Sequence, residues 1–200
     1  MTCRRCGWIA LALSLAAASA QAQQAAPAAG TVQSKPTDAQ EMAKLGTVSN
    51  PVSGALKDIL PRFSKNMTAA AEAMPADKYG FKPTPEMNAF GHLVMHIAQS
   101  NNAFCSKISG TNAPDVKLSD SDPKDKLVAA VKASFDFCAS TLQKVDDSKL
   151  GDQMMLFGSP ASRAAAMLTL GRSWTDHYAT EAIYLRLNGI LPPTAQPTPK

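Results

Sequence analysis

Apolar residues recur at the three- and four-residue spacing of an α-helix over four stretches of the chain, and this pattern predicts the fold class. The first stretch runs from Pro51 to about Met74, with Leu56, Ile59, Leu60, Phe63, Met67 and Ala70 on one stripe. The second runs from Pro85 to about Ser109 and aligns Phe90, Leu93, Val94, Ile97, Phe104 and Ile108. The third, Pro123 to about Val145, aligns Leu127, Val131, Phe135, Cys138, Leu142 and Val145, and the fourth spans Pro160 to Asn188. Strand alternation is missing apart from a weak Met154–Phe157. Helices of roughly 35–40 Å, each with one apolar face, bury those faces best against one another. The expectation is an all-α four-helix bundle over residues 50–193. The connections after the second and third helices are long, so a simple up-down arrangement of neighbours does not follow.

The boundaries rest on local chemistry. Asn50-Pro51, Thr84-Pro85, Asp122-Pro123 and Ser159-Pro160 each set a capping side chain before a proline. Such side chains accept a bond from the first free N–H groups of a helix, and proline at the first helical position gives up no bond that would have formed. Gly110 and Gly189 are the expected stops, the latter backed by Pro192-Pro193. Pro61, inside the first helix, should kink it or shift its start later.

The N-terminus follows a different pattern. Arg4 and Arg5 precede an apolar Trp8–Ala18 run too short to span a bilayer, followed by small residues suited to cleavage after Ala20 or Ala22. Residues 1–22 therefore read as a secretory signal peptide and the mature protein as periplasmic or secreted, with no stable membrane insertion. Residues 23–49, rich in Ala, Gln, Pro, Thr and Ser, read as a flexible linker, and residues 194–200 as a short tail of the same kind. Cleavage lowers the formal net charge from +4 to +2. That balance, without a Lys/Arg run, gives no reason to expect nucleic-acid binding.

Cleavage would also remove Cys3 and Cys6, leaving Cys105 and Cys138 on the apolar stripes of the second and third helices. An even pair in an oxidising compartment is a disulfide candidate. A buried structural disulfide is the favoured reading; two small core residues and a redox-active thiol pair are the alternatives. No basic residue flanks either cysteine closely enough to argue for a lowered thiol pKa.

Motifs for dinucleotide or nucleotide phosphates, zinc proteases, serine hydrolases and EF-hands are missing. The three histidines carry what chemistry remains. His92 and His96, spaced i, i+4, share one side of the second helix. His177 flanks the stripe of the fourth helix, with Glu181 one turn further on. Two helices that each offer a pair of ligand-type groups could close round a divalent ion. The plainer alternative is a hydrogen-bonded boundary histidine at His96, with His92 and Glu181 solvated.

Several segments together resemble the DinB-like superfamily, in a secreted-type branch. They are Ala71–Pro75, Tyr79–Glu86, Phe90–Ala98, His177-Tyr178 and Tyr184–Pro193, with Phe104-Cys105 and Phe137-Cys138 fitting that branch. The resemblance covers most of Pro51 to Pro193 and implies a four-helix bundle, often a metal-dependent protein and in some members a thiol transferase or isomerase. It implies a site of one histidine on the second helix and His-x-x-x-His on the fourth. His96 matches the first position and His177 the last, but Ser173 stands at the middle one, and serine is a poor ligand for zinc.

Two outcomes follow from this departure. In one, the protein binds a divalent metal such as zinc or nickel through His96 and His177, with His92 and Glu181 as additional ligands of a site displaced by one turn, and retains weak hydrolase or thiol-transferase-type activity. In the other, no metal is bound and the disulfide-stabilised bundle holds a small molecule or a partner protein. The resemblance leaves a homodimer open.

Overall fold

A computed structural model of the protein describes residue 41 and residues 45–197. The expected signal peptide, most of the expected linker and the end of the tail lie outside the described residues. By its internal contacts the chain divides into Met1–Gly46 and Thr47–Lys200, and the second unit carries the fold.

Four helices dominate this unit: α1 Pro51–Ala73, α2 Phe90–Ser109, α3 Lys124–Leu142 and α4 Arg163–Leu187. A two-stranded antiparallel hairpin, β1 Gln153–Leu156 and β2 Ser159–Ser162, leads into α4. The helices that pack together are α1 with α4, α4 with α2, α2 with α3 and α3 with α1. Walking round the bundle therefore gives the order α1, α4, α2, α3. The chain crosses a diagonal between α1 and α2 and again between α3 and α4, so the segments before α2 and α4 have to be long. Among the described residues no helix is long and apolar enough to cross a membrane.

The core is the stripe pattern made solid. Met67, Phe90, Ile97, Leu127, Phe135, Leu170 and Trp174 have essentially no exposed surface. Each such side chain stabilises the fold by about 1.5–3 kcal/mol relative to an exposed position. Helix α4 is unusual in being apolar on its outer side too, where Leu168, Ile183 and Leu187 are exposed. Cys105 and Cys138, both fully buried, form a disulfide joining α2 to α3.

The helix starts depart from expectation in an instructive way. None of the four capping side chains before a proline caps its helix. Asn50 has a left-handed backbone (φ 57°) and turns its Oδ1 to the N–H of Asp147. The free N–H groups of Val52 and Ser53 are instead bound by the two carboxylate oxygens of Asp147, each at 2.8 Å. The cap of α1 thus comes from the far side of the chain. Helix α2 begins at Phe90 rather than Pro85, because Thr84-Pro85 lies in a turn closed by Met87 N–H on Thr84 O. The first N–H groups of α2, those of Phe90 and Gly91, go to the carbonyls of Phe81 and Tyr79. Pro123 is the residue before α3, and Asp122 binds the N–H of Ser119 and the ammonium of Lys126. Pro160 sits in β2, and α4 starts three residues later under a cap from Ser162 Oγ to Ala165 N–H. Helix α3 ends at Leu142, short of Val145, which is nevertheless buried.

Pro61 neither ends α1 nor delays its start: the helix runs continuously from Pro51 with the ring on its exposed side. The weak Met154–Phe157 alternation is realised as β1 and its turn. Phe157 and Gly158 both have positive φ (48° and 84°), the signs required at the two central positions of a type I′ turn. The phenyl ring of Phe157 lies edge-on to Phe104 at 4.9 Å. At the C-terminus, Thr194 is held by Tyr178, whose hydroxyl donates to Thr194 Oγ1 and accepts from its N–H. Ordered structure thus reaches into the segment expected to be a flexible tail.

A candidate histidine site between two antiparallel helices

Helices α2 and α4 are linked rung by rung. Tyr184 OH donates to Asn88 O at 2.7 Å, His96 and His177 face each other, Trp174 Nε1 donates to Asn101 Oδ1 at 2.8 Å, and the guanidinium of Arg163 donates to Ile108 O. Numbers rise along α2 as they fall along α4, so the helices run antiparallel. The periodicity that placed His96 and His177 beside their apolar stripes brings the two rings to 5.0 Å between centroids, nearly perpendicular at 80°.

Each ring has a serine one turn away. Ser100 Oγ lies 3.2 Å from His96 Nε2, and Ser173 Oγ lies 3.4 Å from His177 Nδ1. The residue at the expected third ligand position is therefore a hydrogen-bonding neighbour of His177. Burial pushes the His177 pKa down to about 4, helped by the charge of His96 and opposed by Asp176. His96 is lowered as well, by burial and then by His92. Both imidazoles are neutral near pH 7, the form a metal ion requires.

The other two candidates go elsewhere. His92 stacks parallel to His96 with centroids 6.5 Å apart, but its Nδ1 lies 3.5 Å from Asp120 Oδ2 in the loop before α3. That loop approaches closely because residue 91 is glycine: a Cβ there would stand 2.9 Å from Asp120 O. Glu181 is fully buried, and neither carboxylate oxygen has a hydrogen-bond partner. Burial raises the Glu181 pKa well above the usual carboxylate range, so the group is held protonated. Among the described residues, no three His, Cys, Asp or Glu side chains form a group able to hold a metal ion.

His96 borders an open groove of about 360 Å³ lined also by Glu86, Met87, Asn88, His92, Leu93, Thr180 and Tyr184; His177 lies behind His96 and outside that lining. Periodicity missed its far wall, Glu86 to Asn88, because those residues lie in the turn that was expected to be helix. Ser100 was legible in principle, as the i+4 neighbour of His96.

The donor set can be tested against an ion. Two neutral imidazoles suit a borderline divalent metal, whereas a serine hydroxyl and a protonated, buried carboxyl do not complete a closed centre. The residues fit an ion held by two protein ligands with its other positions open, and do not fit a three-histidine site.

Four helices in this order, with a histidine pair between antiparallel α2 and α4, define a four-helix bundle. The family model of the DinB superfamily matches residues 60–180, and the chain belongs to that superfamily. Solved structures share the fold. A DinB-like protein from Bacillus subtilis is 20% identical, with a TM-score of 0.58, over 71% of this chain and 98% of its own. A DinB-like protein from Bacillus cereus is 15% identical, with a TM-score of 0.56, over 66% and 89%. A conserved protein from Enterococcus faecalis is 15% identical, with a TM-score of 0.54, over 68% and 96%. No curated protein matches the chain.

The buried carboxyl of Glu181 makes stability depend on pH. Below pH ~4.3 the group is protonated in both folded and unfolded chains and has no effect. Above that, the unfolded chain releases the proton and the folded chain keeps it, so stability falls as pH rises toward the folded pKa. Glu181→Gln should match the parent near pH 4 and exceed it by about 1–3 kcal/mol at pH 8 in urea denaturation. A variant no more stable than the parent at pH 8 would mean that Glu181 is ionised and compensated.

Proposed function

We propose that the protein is an exported, divalent-metal-binding member of the DinB superfamily whose ion, zinc or nickel, is held by His96 and His177 alone. The observation that carries this reading is the pairing of two neutral imidazoles from antiparallel helices, one of which, His96, lines the groove. The Cys105–Cys138 bond supports export, since disulfides persist in oxidising compartments.

A bound ion supplies Lewis acidity toward an oxygen or sulfur ligand in the groove. The chain's own residues do the rest. Ser100 and Ser173 fix the orientation of the two rings, as hydrogen-bonding neighbours of ligand histidines commonly do. Met87, Leu93 and Tyr184 provide the apolar wall for a small molecule.

Calorimetric titration with zinc and nickel chloride, on untagged protein purified without chelators, tests the assignment. About one ion per chain should bind, with affinity falling at least tenfold in His96→Ala and in His177→Ala. It should persist in His92→Ala, whose ring is engaged with Asp120. Failure to bind either metal would remove the reading and leave the groove as the site of a metal-free ligand- or partner-binding module.

A further inference from the structure

At the opposite end of the α2–α4 ladder from Tyr184 lies a small polar pocket of about 260 Å³. It is lined by Ser109, Lys144, Val145, Asp146, Ser148, Lys149 and Arg163. Three of these side chains are cations and one is a carboxylate.

Arg163 is the unusual member. Its side chain is only 18% exposed, yet its charge is poorly matched. One terminal nitrogen donates to Ile108 O, another lies 3.8 Å from Asp152 Oδ2, and its Nε is buried with no acceptor. A guanidinium taken this far out of water normally has a close, bidentate anion. Asp146 does not provide one, because its Oδ1 accepts from Ser148 N–H and Oγ. Lys149 lies near enough to contribute to the lowered Asp146 pKa, behind the two bonds from Ser148. Neither Lys144 nor Lys149 forms an ion pair among the described residues.

We propose that this pocket binds a tetrahedral oxyanion, a phosphate ion or the phosphate of a small monoester, between Arg163 and the ammonium groups of Lys144 and Lys149. Three cations against the Asp146 carboxylate in the lining and the Asp152 carboxylate 3.8 Å from Arg163 leave a net positive charge that an anion neutralises. The volume suits one phosphate group and its water rather than a cofactor-sized ligand. The hydroxyls of Ser109 and Ser148 also line the pocket but already donate to Cys105 O and Asp146 Oδ1, so the three cations carry the recognition. The site shares no residue with the histidine pair, so it stands whether or not a metal binds there.

The test is calorimetric titration of the full mature chain with inorganic phosphate at pH 7.5, ionic strength being held constant with sodium chloride. Saturable binding of about one phosphate per chain is expected, weakened at least tenfold in Lys144→Ala/Lys149→Ala. Both lysines are exposed, so the fold should survive, as circular dichroism would verify. Lys65→Ala/Lys132→Ala, on another face, should bind as the parent does. Phenyl phosphate distinguishes the source of the anion: affinity equal to or above that of phosphate assigns a monoester, and no binding assigns the free ion. Heat without saturation, or equal binding in both double variants, would overturn the proposal.

Discussion

Trp174→Ala should lower the unfolding free energy by about 3–5 kcal/mol, a large share of what a domain of this size possesses. The indole is fully buried, with Phe63 and Phe135 at 6.0 and 5.9 Å between ring centroids. Its Nε1 donates to Asn101 Oδ1, Asn101 Nδ2 donates to Ser134 Oγ at 3.0 Å, and Ser134 Oγ donates to Val131 O. One side chain of α4 thus meets α1, α2 and α3 and anchors a polar chain across the core. Truncation leaves a cavity and an amide oxygen without its donor. Trp174→Phe separates the two effects: it keeps most of the ring and should cost about 1–3 kcal/mol, the range for orphaning a buried polar group. Urea denaturation followed by far-ultraviolet circular dichroism measures both variants. A loss under 1 kcal/mol in the alanine variant would mean that the core refills around the gap.

Removing the disulfide comes next in size. Cys105→Ala/Cys138→Ala opens a loop with a sequence separation of 33, which should cost about 3–4 kcal/mol through the freedom regained by the unfolded chain. The same burial bears on reactivity. Both sulfurs are fully enclosed, so the folded protein should keep its bond in mild dithiothreitol and become alkylatable only once denaturant is added. Mass spectrometry after alkylation reads this directly. Rapid labelling of the folded protein would revive the thiol-transfer reading of the pair.

The sequence carried the fold because helical periodicity is repeated over many residues, and each stripe found its place in the core. It misplaced the ends because caps are local in pattern and global in partner. Asn50-Pro51 has every feature of a self-contained start, yet Asp147, some 95 residues away, provides the acceptor oxygens. Thr84-Pro85 and Ser159-Pro160 use the same residues in a turn and a strand, where proline's fixed φ is equally at home.

The site was legible in part for a related reason. Helical periodicity placed His96 and His177 beside the apolar stripes of their helices, and the antiparallel course of α2 and α4 brings the two rings together. Spacing alone could not show that His92 would turn to a loop aspartate, or that Glu181 would point into apolar surroundings. One turn of helix separates Glu181 from His177, and the intervening rotation of ~40° changes what each side chain meets.

The enclosure of the disulfide has a further consequence. Once α2 and α3 have closed over the two sulfurs, neither oxidant nor reductant meets them without opening the bundle. Whether the bond exists is then decided while the chain folds and is carried unchanged wherever the protein travels. A population of molecules could be sorted by birthplace: those that folded among oxidants hold the link, and those that folded among thiols do not. The pair is in this sense a record of origin rather than a sensor of present surroundings.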